Sequence, residues 1–419
     1  MEKEKNTQSL DLSERLNFNN KSRILINIHY LEIGGAETAL IGLLHALDPS
    51  KYKIDLIIND PRGGLMNFIP DWVNIITTPK AYNYIERPIK EAILKGHLGV
   101  AFGRIEAKIA YSFYSRKHKP KDGNAIFGFI GKYVTPLLPS LKKLGSYDIA
   151  ISWLTPHNIV LKKIDAKKKV CWIHTDYSAI DINKKIEFPI WNGYDKIISI
   201  SDKVSDSFYS FFPELKHKIV KIENFLPVEL IRKRAEEFIP SEMIKENDEN
   251  IFLSIGRYCE AKNLDIIPFL CRDLIDHGFK LKWFIIGYGP EWELNKIHTE
   301  IKRNDVEKEV SLLGKKENPY PYIKACDWYV QPSRYEGKSI TVQEAQILGK
   351  PVIIRNYPTA SSQVKHETDG FIAPYDINLL AEYTFDLIQN NEDKIKKVKI
   401  NLSKKDFTQQ NNLQKFYSI

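Results

Sequence analysis

The chain has 419 residues, 43% of them apolar and 27% charged, with a formal net charge of +8. That length exceeds what one apolar core usually supports, so two soluble globular domains are expected. The four cysteines, Cys171, Cys259, Cys271 and Cys326, lack paired metal-ligand spacing and read as buried or idle thiols of a reducing compartment; the first 21 residues have no apolar core for a signal peptide, and the longest apolar run, 125–139, is broken by Lys132, Pro136 and Pro139, which excludes a membrane span.

Residues 1–21 are polar and charged and read as a disordered tail. Residues 23–29 form a short apolar run typical of a buried parallel strand. A glycine-bearing loop follows, Leu31-Glu32-Ile33-Gly34-Gly35-Ala36-Glu37, then a helix over 38–47 and strands over 52–58 and 73–76. Between residues 84 and 144 stand twelve basic residues against four acidic ones, so this stretch holds the whole positive excess of the chain. It is also rich in Phe and Tyr, and reads as a helical insertion. Cations mixed with aromatic rings suit an anionic membrane surface. A solvated basic face is the alternative; nucleic acid is not expected, because no nucleic-acid-binding motif accompanies the charge. Strands resume at 147–153, 169–174 and 196–201. Alternating strands and helices predict an α/β chain with parallel sheets covered on both faces. The expected organisation is a first domain over 22–225, a linker over 226–249 containing Pro227, a second domain over 250–395, and a tail over 396–419 that crosses back.

The second domain carries the densest chemistry. Trp328-Tyr329-Val330 and Pro351-Val352-Ile353-Ile354 flank the stretch Glu336-Gly337-Lys338-Ser339-Ile340-Thr341-Val342-Gln343-Glu344-Ala345, an order that predicts strand, glycine turn, helix, strand. Ligands of open parallel sheets bind at such strand ends, against the start of the next helix. Glu336 stands at that mouth. Glu344 shares a helical face with Ile340, Ile347 and Leu348, so its carboxylate points inward and needs a partner. Upstream, Arg257 follows a strand and Gly256, and Lys262 lies in the same loop. Two cations and a helix amino-terminus are the tools that hold phosphates. Gly287-Tyr288-Gly289-Pro290 is a tight turn at another strand end; neither it nor Gly34-Gly35 matches the dinucleotide fingerprint, which argues against a redox cofactor. His174 closes the run Val170-Cys171-Trp172-Ile173-His174-Thr175-Asp176, where it either points into a binding cleft or is structural, and Asp176 either orients its ring or caps a turn. No cluster suggests a metal site, and no nucleophile or triad stands out.

In this order, Phe252 to Arg257 with Lys262 and Asn263, Trp283 to Pro290, Val310 to Gly314 and Gln331 to Glu336 resemble the donor-binding half of family 4 retaining glycosyltransferases, over about residues 251–376 and more weakly over 23–224. The resemblance implies a GT-B fold, two facing Rossmann-like domains with a cleft between them. It implies that Arg257 and Lys262 hold the phosphates of a nucleotide-diphosphate sugar, joined by amides of Gly337, Lys338, Ser339 and Ile340. Glu344 would accept from the ribose hydroxyls, Glu336 and His174 would meet the donor sugar, and Gly34, Gly35, Gly287 and Gly289 would line the substrate. One departure is Ala360-Ser361-Ser362-Gln363, where many relatives carry an acidic residue. The expected activity is retaining transfer from a UDP-hexose or UDP-N-acetylhexosamine to a lipid-linked saccharide in surface polysaccharide assembly, without cofactor or metal. The expected place is the cytoplasmic face of the inner membrane. The rival expectations are a nucleotide-sugar epimerase of the same fold and a non-catalytic sugar- or lipid-binding homologue.

Overall fold

The structure is a computed structural model that describes residues 21–419 except Ile33, Lys121, Asp122, Glu246 and Asn247. The expected disordered tail thus lies outside the described residues up to residue 20, as do two charged members of the basic stretch. The described chain divides into two units, residues 21–225 with 410–419, and residues 226–409.

The first unit is built on a seven-stranded parallel sheet. Its strands are β1 (Ser22–Ile28), β2 (Tyr52–Ile58), β3 (Asn74–Ile76), β4 (Ser146–Ser152), β5 (Asp165–Ile173), β6 (Lys196–Ser199) and β7 (Ile219–Lys221), ordered β3-β2-β1-β4-β5-β6-β7. Ile24, Leu25 and Ile26 of the central strand are wholly buried, because helices cover both faces. In register, Ile24 stands between Ile54 and Ile149. The order reverses between β1 and β4, the switch point at which such sheets leave a crevice at their strand carboxyl ends. Strand β5 starts earlier than its apolar run suggests; its polar first half is held by the ladder to β4, where Ser146 pairs with Asp165. The basic stretch between β3 and β4 is helical, with helices Ile89–Leu94, Leu98–His118 and Ala125–Val134. The last helix, Gln410–Tyr417, belongs to this first unit: Tyr417 stacks on Tyr52 at 5.8 Å and Phe416 lies 6.5 Å from Trp172.

The second unit carries six parallel strands, β8 (Asn250–Ile255), β9 (Leu281–Ile286), β10 (Val310–Gly314), β11 (Trp328–Gln331), β12 (Val352–Arg355) and β13 (Phe371–Ala373). Their order is β10-β9-β8-β11-β12-β13, so the switch point falls between β8 and β11. Phe252, Trp283, Ile285, Val330 and Ile353 lie in its core. The helix Ile377–Asn390 begins where Asp376 accepts from the amides of Asn378 and Leu379 at 2.9 and 3.1 Å, a side-chain cap that fixes the chain's entry.

Candidate functional site

In the second unit the switch point gathers most of the residues the sequence singles out. Arg257 and Lys262 follow β8, and Glu336 to Ile340 follow β11. Lys262 Nζ donates to Glu336 Oε1 at 2.6 Å. The same oxygen accepts from Ser333 Oγ at 2.7 Å and from Gln331 Nε2 at 3.2 Å. Three donors on one oxygen hold Glu336 in a single pose, which a binding site needs and a mobile surface glutamate would lack. Arg257, in the same loop as Lys262, is exposed. The loops themselves are tied together. Asn263, at φ 54°, donates to the Pro332 carbonyl at 3.3 Å and accepts from Arg334 Nε at 2.9 Å, and the Arg334 amide donates to Ala261 O at 2.8 Å.

The glycine turn after β9 has a packing reason. A Cβ on Gly287 would stand 1.9 Å from Gly256 O, and one on Gly289 would stand 2.4 Å from Tyr258 O. The Tyr258 amide bonds Tyr288 O at 2.8 Å, so the turn is welded to the Arg257 loop. Only glycine permits this approach. These residues therefore hold the Arg257 loop in shape.

The helix Ile340–Ile347 starts at Ser339 without a side-chain cap on its first amides. The Ser339 amide is already used, donating to Gln363 Oε1 at 3.1 Å, while Gln363 Nε2 donates to Ser339 O and Tyr357 donates to Gln363 Oε1 at 2.8 Å. Gln363 thus clamps the helix start. Thr359 Oγ1 adds a bond to Glu336 O at 2.8 Å. Behind the helix, Glu344 is 4% exposed and accepts from Tyr320 Oη at 3.0 Å. Burial pushes its pKa up to about 7, with Tyr320 and the Arg234 charge pulling the other way. The Arg234 guanidinium lies 5.4 Å from the Tyr320 ring, completing a buried carboxyl–phenol–cation group. Tyr320, Arg234, Tyr357 and Gln363 carry no local motif; only their aromatic or polar character inside otherwise apolar elements hinted at them.

In the first unit, His29, Asn59, Trp153 and His174 follow the ends of β1, β2, β4 and β5, four neighbouring strands. The ring nitrogens of His174 are buried and make no hydrogen bond of normal geometry. Burial pushes its pKa down to about 3, so the ring is neutral at ordinary pH. It packs 5.0 Å from Trp153. Asp176 caps a turn instead of orienting the ring, accepting from Ser178 N and Oγ at 2.9 and 2.6 Å. Gly34 precedes the helix Gly35–Ala46. A Cβ there would meet the Glu37 carboxylate at 2.4 Å, so the glycine leaves room for the chain's own anion at that helix start. Sequence reasoning missed His29, bonded to Asn59 at 2.9 Å, His157, bonded to Ser152 at 2.8 Å, and Arg87, which grips Asp60 through two bonds of 2.9 and 2.6 Å. Each lies at, or bonds to, the carboxyl end of an apolar strand: His29 follows β1, His157 bonds the last residue of β4, and Arg87 bonds Asp60 just after β2. That position is the signal that could have found them.

Among the described residues no group of three or more His, Cys, Asp or Glu is placed to hold a metal ion, and no helix is long and apolar enough to cross a membrane. Residues 235–404 match the model of the family described as glycosyl transferases group 1. The amylovoran biosynthesis glycosyltransferase AmsK of Erwinia amylovora is 31% identical over 151 residues, 34% of this chain and 36% of that protein. The UDP-Gal:alpha-D-GlcNAc-diphosphoundecaprenol alpha-1,3-galactosyltransferase of Escherichia coli is 27% identical over 147 residues, 35% of this chain and 37% of that protein. The matches span little more than a third of either relative. Over 95% of this chain and 100% of the other, the fold matches Anabaena Alr3699/HepE, solved in complex with UDP and glucose, at a TM-score of 0.64 and 16% identity. Residues 235–404 are thus similar to group 1 glycosyl transferases, on a chain whose two-sheet α/β architecture matches that of Anabaena Alr3699/HepE.

Proposed function

We propose that the chain is a retaining hexosyl- or N-acetylhexosaminyltransferase that takes its sugar from a UDP-linked donor. Its acceptor is a lipid-linked saccharide on the anionic cytoplasmic face of the membrane, in surface polysaccharide assembly. The observation that carries this reading is the pre-set group at the β8/β11 switch point: Lys262 bonded to Glu336, Arg257 exposed in the same loop as Lys262, and an uncapped helix start with Glu344 behind it. Arg257, Lys262 and the amides of Gly337, Lys338 and Ile340 would neutralise the diphosphate, whose charge grows as the sugar leaves. Glu344 would accept from the ribose hydroxyls, and Glu336 from a hydroxyl of the donor sugar. His174, held neutral, would offer a hydrogen bond to a substrate hydroxyl without adding charge. In the step itself the bond from the anomeric carbon to the phosphate oxygen breaks. The acceptor oxygen bonds the same face of that carbon, and its proton passes to the departing phosphate oxygen.

The relatives named for amylovoran biosynthesis and for galactosyl transfer to a diphosphoundecaprenol-linked sugar support the acceptor class. The test is release of nucleotide from a panel of UDP-sugars, with and without lipid-linked saccharides. Release that requires an acceptor supports transfer. A changed sugar with UDP still attached would identify an epimerase, and a donor that binds but is never turned over would identify a non-catalytic homologue.

A further inference from the structure

The helix Leu98–His118 is apolar on the wrong side. Its inner face is made of small residues, Val100, Ala101, Gly103 and Ala107, all buried. A Cβ on Gly103 would lie 2.8 Å from Tyr133 O, so the helix seats tightly on the helix Ala125–Val134. Tyr111 and Tyr114 pack against Phe129, but the leucine, isoleucine and phenylalanine side chains of the helix are all outside. Leu98, Phe102, Ile105, Ile109 and Phe113 are 64%, 58%, 43%, 53% and 67% exposed. Their spacing of four, three, four and four places them in one stripe along the helix. Ile93 and Leu94, just before it, and Leu137, whose Cδ1 would lie 3.0 Å from a Gly103 Cβ, are exposed as well. Scattered exposed apolar side chains need no explanation, but a continuous stripe of this kind marks a contact surface.

Cations stand at both ends of the stripe. Lys90 and Lys95 precede it, Arg116, Lys117 and Lys119 follow it, and Lys108 lies on its flank; all are exposed. Arg87 and Arg104, by contrast, are tied inward, to Asp60 and to the carbonyls of Tyr84 and Arg87. The helix has one carboxylate, Glu106. A second copy of the chain would bring cation against cation in either a parallel or an antiparallel pairing, since both ends are basic. An anionic lipid surface meets both features at once, taking the stripe among its acyl chains and the cations at its headgroups.

We infer that the outer face of the helix Leu98–His118 is the surface that lies on an anionic phospholipid bilayer, with Leu98, Phe102, Ile105, Ile109 and Phe113 inserted and Lys95, Arg116, Lys117 and Lys119 at the headgroups. This deepens the membrane part of the proposed function and rests on it, but it is read without any donor, so its failure leaves the sugar-transfer reading intact.

The test is co-sedimentation of the full chain with phosphatidylcholine vesicles, with and without phosphatidylglycerol. The wild-type protein binds the anionic vesicles and is partly released by salt. Phe102→Ser with Phe113→Ser lowers the partition coefficient about tenfold or more. The pair Ile105→Ser and Ile109→Ser does the same from different positions. Arg116→Gln with Lys117→Gln and Lys119→Gln lowers it about tenfold or more on anionic vesicles only. Trp292→Ser, an exposed aromatic of the second unit, has no effect. The inference is overturned if the wild type ignores anionic vesicles, or if both serine pairs bind them as well as the wild type does. It is overturned equally if the wild type sediments as a dimer that the serine pairs convert to monomer, which would make the stripe an interface between copies.

Discussion

Replacing Glu344 with glutamine separates stability from binding at one buried position. In the free protein the carboxyl is sealed against Tyr320, and burial raises its pKa from the ordinary 4.5 to about 7. Because the folded-state value lies above the unfolded one, the stabilisation belongs to the protonated form. It is complete below about pH 4.5 and is lost as pH rises through about 7. At about 1.4 kcal/mol per unit, the loss comes to roughly 3 kcal/mol by pH 8. Glutamine keeps an oxygen for the Tyr320 hydroxyl and never charges. Glu344→Gln should therefore match the wild type near pH 4.5 and exceed it by roughly 3 kcal/mol at pH 8, on the order of 6–10 °C in the melting temperature. A nucleotide whose ribose hydroxyls donate to Glu344 favours the charged form, so UDP should bind the wild type more tightly as pH rises through about 7. Loss of a hydrogen bond to a charged acceptor is worth about 1.5–3 kcal/mol, so the variant should bind UDP on the order of ten- to a hundredfold more weakly at pH 8. Differential scanning fluorimetry at several pH values, and UDP titration calorimetry, read the two effects. A stability difference that does not change between pH 5 and pH 8 would refute the buried-acid reasoning, and unaltered UDP affinity would remove Glu344 from the nucleotide site.

Arg257→Ala and Lys262→Ala should each lower transfer by about two orders of magnitude or more, measured as acceptor-dependent nucleotide release; near-normal turnover in both would remove the phosphate assignment. Lys262→Ala should also free Glu336 from its 2.6 Å partner, so its loss should exceed the effect of Lys262→Arg. Activity should survive a strong chelator, because the cations and helix amides supply the countercharge; loss with EDTA, restored by magnesium or manganese, would show that the site had been misread. Gly287→Ala should cost about 2 kcal/mol or more in urea unfolding of the second unit, since its Cβ would stand 1.9 Å from Gly256 O; an unchanged midpoint would mean the two loops are not welded.

The apolar runs alone determined most of the fold. Wholly buried parallel strands must be apolar on both faces, so β1, β2, β8, β9, β11 and β12 announce themselves as short runs of Ile, Leu, Val and aromatic residues. The ordered motifs at 252–263 and 331–344 likewise marked the loops that follow β8 and β11, because ligand chemistry on such sheets collects at strand ends. Strands held by pairing and not by burial were not legible: β7 is three residues long, and the first half of β5 is polar. Side-chain partners distant in sequence were invisible for a related reason. Nothing local to Gln363 shows that it bonds both backbone groups of Ser339, or that Tyr320 and Arg234 close around Glu344. The roles of the glycines were decided in the same way. By sequence Gly287 and Gly289 mark only a tight turn at a strand end, and it is the approach of the Gly256 and Tyr258 backbones that shows why glycine is needed there. The direction of the helix Leu98–His118 was the last thing sequence could not supply. Apolar residues occupy both of its faces, so periodicity names no inside, and it is the close seat of Gly103 on the Tyr133 backbone that turns Phe102, Ile109 and Phe113 outward.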